Sequence, residues 1–175
     1  MASHGSARFD AAEYRLCRRF NQTAANRGVR VFFQTVSRLG DGVIWYALMV
    51  AMPILYGGRG LRVALIMLAG STVNLAVYKL LKCIFVRERP FMRHAGISLV
   101  GVPLDRYSFP SGHTLHAVAF TWQAVTAFPE LSFVLIPLAL AIAASRVVLG
   151  LHYPTDVLVG ALLGTASGAI GSALV

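Results

Sequence analysis

Charged side chains are scarce in this chain. They make up 13% of its 175 residues, whereas 57% are hydrophobic, and the mean hydropathy is +0.66. That balance is too apolar for an ordinary soluble domain. The apolar runs also leave no wide polar face to show to water, which argues against a soluble helical bundle. Acids are scarcest of all, 7 against 16 Lys and Arg, for a formal net charge of +9. Only two cysteines are present, Cys17 and Cys83. They stand far apart and make no metal-type pair, so two unpaired thiols are expected and no metal site. Residues 1–40 hold no uninterrupted apolar stretch, so no secretory signal is expected and the first long run, from Gly42, reads as a retained span. Internal repeats and low-complexity segments are also lacking.

The hydrophobic residues fall into five runs, at about 42–58, 61–81, 113–128, 131–149 and 156–175. A membrane-crossing helix needs roughly 17–25 residues, so the first and third runs are short. The expected fold is therefore all-α, a polytopic membrane bundle of about five transmembrane helices (residues 41–175), preceded by a basic amphipathic segment (residues 1–40). In that segment Phe9, Tyr14, Leu16, Cys17 and Phe20 recur among arginines at helical spacing, as in a helix lying on a membrane surface. A second, weaker helix runs through Val29 to Val36, and Gly40-Asp41-Gly42 ends it. Arg8, Arg15, Arg18, Arg19, Arg27, Arg30 and Arg38 precede the first span. Anionic membrane lipids are the expected partner of such charge. Nucleic acid is not, because no aromatic platform or binding motif accompanies it.

Tyr56-Gly57-Gly58-Arg59-Gly60 is expected to turn the chain back between the first two runs. Two crossings separate the 83–110 loop from the 147–155 segment, so both emerge on one side of the membrane. Gly160, Gly164 and Gly168 recur every four residues along the last run. Small residues at that spacing let helices approach closely, either inside the bundle or across a homodimer.

Three polar stretches punctuate these runs. Lys82 and Arg89 bracket the start of the long loop, and Arg146 lies near the end of the fourth run. Three cations near membrane depth mark a function, and a guanidinium fork fits two phosphate oxygens. Lys79 and Arg87 are expected only to snorkel towards headgroups. Pro110-Ser111-Gly112-His113 opens the third run. Gly112 admits an anion close to the backbone, and the free N–H groups of a helix start favour phosphate. Ser111 is either a further donor or a helix cap. His113 stands where an imidazolium would protonate a leaving alkoxide. His152 and Asp156 open the fifth run, four residues apart and thus on one face of a helical turn. They are either a structural pair or a nucleophile oriented by its carboxylate partner.

Taken together the stretches resemble the type 2 phosphatidic acid phosphatase family, whose three-part signature is Lys, six residues, Arg-Pro; then Pro-Ser-Gly-His; then Ser-Arg, five residues, His, three residues, Asp. All three parts match in order between Lys82 and Asp156. The resemblance implies a helical bundle that works without metal or other cofactor through a phosphohistidine. It makes His152 the nucleophile, Asp156 its partner and His113 the acid and later base. Lys82, Arg89, Ser111, Gly112 and Arg146 become the phosphate ligands. Many members have six spans, one more than expected here. His4, His94 and His116 match nothing; His116, three residues after His113, is either a pocket-lining residue or, as expected first, a packed or headgroup-facing one. The loop residues Arg93, His94, Asp105, Arg106 and Tyr107 are candidates for headgroup choice.

The expected activity is hydrolysis of a lipid phosphomonoester or diphosphate, such as a polyprenyl diphosphate, phosphatidylglycerol phosphate or phosphatidate. A lipid-to-lipid phosphotransferase and a non-enzymatic headgroup or anion transporter are the alternatives. The family pattern suggests a bacterial inner membrane. The basic N-terminus points to a cytoplasmic site under the positive-inside rule, while many relatives work on the outer face, so the side stays open.

Overall fold

Two helices precede the apolar ones. In the computed structural model, which describes residues 4–174 and side chains from residue 8 onward, they are α1 (His4–Thr23) and α2 (Arg27–Leu39); the side chain of His4 lies outside the described residues. Asn26 starts α2 by accepting the N–H groups of Gly28 and Val29, which satisfies donors the first turn cannot pair internally. The apolar stripe read from α1 divides. Cys17 is fully buried and Tyr14 half-buried, while Phe9, Leu16 and Phe20 face outward. The buried stripe is instead Glu13, Cys17 and Asn21, residues spaced by four and so on one helix face.

α3 (Val43–Phe85) contains 43 residues. A straight helix of that length would run about 65 Å, twice the apolar thickness of a bilayer. It breaks at Gly57, where φ is 56° and ψ −138°, a conformation that side-chain-bearing residues avoid. Beyond the break the chain doubles back. Gly60 lies so close to Met52 that a Cβ there would sit 2.0 Å from the Met52 carbonyl oxygen. The limbs 43–56 and 58–85 then share one buried cluster, with Met49 and Met52 from the first and Val63 and Met67 from the second.

A short α4 (Pro90–Arg93) and an irregular loop lead to α5 (Gly112–Ala127). A 3-10 turn (Pro129–Leu131), α6 (Ser132–Val148) and α7 (Pro154–Ser172) complete the chain. Among the described residues three helical segments are long and apolar enough to cross a membrane, Val43–Phe85, Pro129–Val148 and Pro154–Ser172. α5, with 16 residues, spans only about 24 Å. It occupies the centre of the bundle, packed against α3, α6 and α7.

The glycine stripe of α7 explains that packing. A Cβ on Gly160, Gly164 or Gly168 would meet Ser111 O, Leu115 O or Trp122 Cβ at 2.5–2.6 Å. The stripe is thus filled by α5 of the same chain, the first of the two readings of these glycines. The two thiols are free, Cys17 buried and Cys83 exposed. The bundle has two distinct ends. At one, Tyr56 stacks on Phe128 with ring centroids 3.7 Å apart, and Arg59 lies over the same ring. At the other, α1, α2, the 86–111 loop and the 149–153 turn come together, and the polar stretches meet there.

Candidate active site

Helix ends deliver the polar side chains to one place. Lys82 comes from the last turn of α3, Arg89 caps α4, His113 opens α5, Arg146 closes α6 and His152 precedes α7. All five, with Gly112, line one cavity of about 370 Å³. Its remaining wall is largely apolar and includes Trp45, Tyr46, Met49, Leu68, Leu75 and Phe120. Lys82, Arg89, Arg146 and His152 are each at most 6% exposed. Buried charges are costly unless something pairs them. For Lys82 and Arg89 the partners are a carboxylate and carbonyls brought in by loops.

Asp105 is the first of these. Lys82 Nζ donates to its two carboxylate oxygens at 2.7 and 2.8 Å, and Arg89 Nη2 donates to Oδ1 at 2.8 Å. Desolvation works against the charge of Asp105, but Lys82 and Arg89 hold it below the usual carboxylate range. Arg89 Nη1 donates to Leu151 O at 2.8 Å. Arg146 Nη1 donates to Ser37 Oγ, while its Nε has no protein partner.

His113 Nε2 donates to Asp41 Oδ1 at 2.5 Å. Asp41, from the turn between α2 and α3, also lines the cavity. Burial opposes its ionisation, yet the His113 hydrogen bond and the fields of His113, Arg146 and Arg38 keep it below the usual carboxylate range.

His152 Nε2 lies 3.4 Å from Arg89 Nη1. A guanidinium can only donate, so Nε2 presents its lone pair towards that side and Nδ1 carries the proton. Burial first, then the fields of Arg146, Arg89 and Lys82, push the proton affinity of His152 well below the ordinary value of 6.5. Nδ1 is 3.7 Å from Asp156 Oδ2 and has no hydrogen-bond partner. The anticipated His–Asp hydrogen bond is therefore a proximity here. Asp156 Oδ2 instead accepts the Tyr153 N–H at 2.8 Å, and Oδ1 accepts Arg87 Nη1 at 2.6 Å.

Arg87 corrects a sequence expectation. Rather than snorkelling, it bridges Asp156 and Glu13, its Nη2 donating to Glu13 Oε2 at 2.5 Å. Lys79 is exposed. Ser111 is buried, its hydroxyl paired with Thr114 Oγ1 at 2.9 Å as a helix cap, and it does not line the cavity. His116 lines the cavity wall with Nδ1 2.9 Å from Gly112 O. Glu13 and Asp41 escaped the sequence reading as site residues. The available signal was acid scarcity, since each carboxylate in so basic a chain has many cations to find. Among the described residues no group of three or more His, Cys, Asp or Glu side chains is placed to hold a metal.

Residues 60–175 match the PAP2 superfamily. The chain belongs to that family. It is a phosphatase and an integral membrane protein, as its family, its relatives named phosphatases and its apolar helices together support. A Mycobacterium tuberculosis protein named decaprenylphosphoryl-5-phosphoribose phosphatase is 34% identical over 137 residues, covering 77% of this chain and 74% of its own. An undecaprenyl-diphosphatase of Sulfolobus acidocaldarius is 27% identical, over 83% of this chain and 69% of its own. Among solved structures, Aquifex aeolicus LpxE superposes with a TM-score of 0.74 at 26% identity, over 90% of this chain and 92% of that one.

Proposed function

We propose that this PAP2 member is a five-crossing lipid phosphatase of a bacterial plasma membrane, acting on a polyprenyl-linked phosphomonoester or diphosphate. The carrying observation is the convergence of Lys82, Arg89, Arg146, His113 and His152 on one cavity whose other walls are apolar. Such a cavity accepts a charged headgroup and the start of a lipid tail together. The polyprenyl class is favoured because the mycobacterial and archaeal relatives are named for decaprenyl and undecaprenyl substrates. The five crossings are the two limbs of α3, then α5, α6 and α7, with the outer apolar side chains of α1 at the membrane surface.

In the proposed reaction His152 Nε2 attacks phosphorus and the bond to the lipid oxygen breaks. His113 gives its proton to the departing oxygen. Lys82, Arg89 and Arg146, with the Gly112 N–H and the Ser111 hydroxyl if it turns inward, offset the charge of the pentacoordinate state. A water then gives its proton to His113 and its oxygen to phosphorus, and the P–N bond breaks to free phosphate and neutral His152. The roles of acid and base thus alternate on one imidazole.

The test is phosphate release by detergent-purified protein in EDTA, on phosphatidate, phosphatidylglycerol phosphate and undecaprenyl diphosphate, beside His152→Ala. Wild-type release with the greatest rate on the polyprenyl lipid, and none from the variant, is expected. Activity retained by His152→Ala would refute the phosphohistidine route, and loss in EDTA restored by a divalent ion would refute metal independence.

A further inference from the structure

Behind the nucleophile lies a polar cluster in which Asp156, the expected partner of His152, is joined by three residues for which the hydrolytic scheme has no task. Glu13, Arg87, Thr155 and Asp156 do not line the 370 Å³ cavity. Glu13 is a carboxylate only 7% exposed, on the inner face of α1. Its Oε1 accepts the Thr155 N–H at 3.2 Å and the Thr155 hydroxyl, and its Oε2 accepts Arg87 Nη2. The other end of the Arg87 fork serves Asp156 Oδ1 and Thr155 Oγ1, at 2.6 and 2.8 Å. The guanidinium also lies 4.1 Å over the Tyr153 ring.

The rest of the α1 stripe grips the same segment. Cys17 Sγ is 3.9 Å from His152 O, and Asn21 Nδ2 donates to Val148 O at 3.0 Å. Read along the helix, Asn21, Cys17 and Glu13 hold residues 148, 152 and 155 in turn. An anchor for the membrane surface would gain more from an apolar inner stripe, because a buried carboxylate costs several kcal/mol unless fully paired. A stripe of this composition makes sense as a holder.

We propose that Glu13 and Arg87 are positioning residues for the nucleophile: α1 clamps the turn that carries His152, and Arg87 fixes the Asp156 carboxylate behind the imidazole. The proposal rests on the reading of His152 as nucleophile. Arg87 also counters the Asp156 charge, and so limits how strongly that charge favours an imidazolium. The other charged or titratable groups facing His152 are Lys82 of α3, Arg89, His113 of α5, Arg146 of α6 and Asp105 of the loop. Tyr153 of its own turn and Glu13 and Cys17 of α1 lie beside it, and Asp41 and His116 line the same cavity.

The signs follow. With Arg87 neutral, the bare carboxylate favours protonation of His152, so the acidic limb of kcat/KM moves to higher pH. With Glu13 neutral, Arg87 is less compensated and the limb moves to lower pH.

The experiment is kcat/KM against pH for detergent-purified wild type, Arg87→Gln, Arg87→Lys, Glu13→Gln and His152→Ala, with a thermal melt of each. Arg87→Gln should lose roughly 10–100-fold in kcat, by analogy with losing the group behind a metal-held imidazole, with its limb shifted up. Glu13→Gln should lose less and shift oppositely, and Arg87→Lys should bring the limb back towards wild type. If Arg87→Gln does not fold, the Arg87→Lys and Glu13→Gln limbs decide. Limbs that all coincide with wild type, with losses that track the melts, would overturn the clamp. Activity in His152→Ala would instead overturn the nucleophile reading beneath it, so the two failures are distinct.

Discussion

The contact between His113 and Asp41 predicts how the leaving group governs the rate. A carboxylate 2.5 Å from Nε2 fixes the ring and, in the proposed scheme, stabilises the imidazolium that gives up a proton. Asp41→Asn keeps the shape and removes the charge. Positioned general acids contribute about 100–10,000-fold, so kcat on a lipid phosphate should fall by about 10–100-fold with little change in KM. The loss should shrink on an aryl phosphate with an acidic phenol, whose departure needs no proton. Equal losses on both substrates would show Asp41 to be structural only. This residue also marks the limit of the sequence. Lys82, Arg89, Arg146, His113, His152 and Asp156 were legible as candidates because each sits in a spaced pattern. Asp41, Asp105 and Glu13 lie in no pattern. They acquire meaning only when a turn, a loop and a surface helix are folded against the cations, and nothing local in the chain records those approaches.

Helices were legible where their apolar content set them apart, because residues buried in lipid or protein leave long uninterrupted runs. The turn at Gly57 was also readable, since glycines cluster where the chain must reverse. The inner face of α1 was not. Its stripe of Glu13, Cys17 and Asn21 is too polar to be recognised as buried, and Phe9, Leu16 and Phe20 drew the eye to the wrong side. The glycine stripe of α7 yields a prediction at this scale. A Cβ at Gly164 would meet Leu115 O at 2.5 Å and Val118 Cβ at 2.9 Å, contacts that α5 can relieve only by moving away. Gly164→Ile should therefore destabilise the protein by about 1–3 kcal/mol, the usual cost of overpacking, seen as a lower melting temperature in detergent. Since α5 carries Gly112 and His113, activity should fall as well. An unchanged melting temperature would mean that α5 and α7 are not packed through these glycines. Gly57→Ala is the useful contrast: the added methyl meets nothing within 4 Å, so any cost there comes from the backbone alone.

The molecule as a whole is polarised along its axis. Of the 16 Lys and Arg residues, all but Arg59 and Arg62 belong to the N-terminal helices, the loops or the helix ends that gather around the cavity. Some of these are bound into the site and say little about orientation. The seven arginines between Arg8 and Arg38 are not so bound, apart from the influence of Arg38 on Asp41, and a cluster of that size ahead of the first span is retained on the cytoplasmic side. The charge distribution therefore predicts a cavity open to the cytoplasmic leaflet. Two native features make the test direct, since Cys17 is buried and Cys83 is the exposed thiol. In a Cys83→Ser background, Val102→Cys places a thiol at a loop position 72% exposed beside the site, and Glu130→Cys places one at the opposite end. A membrane-impermeant maleimide should label Val102→Cys in inverted vesicles and Glu130→Cys in intact spheroplasts. The reverse pattern would put the active site on the outer face. It would then follow that the arginines of α1 and α2 serve attraction to anionic headgroups on that face, at about 1 kcal/mol each, rather than topology.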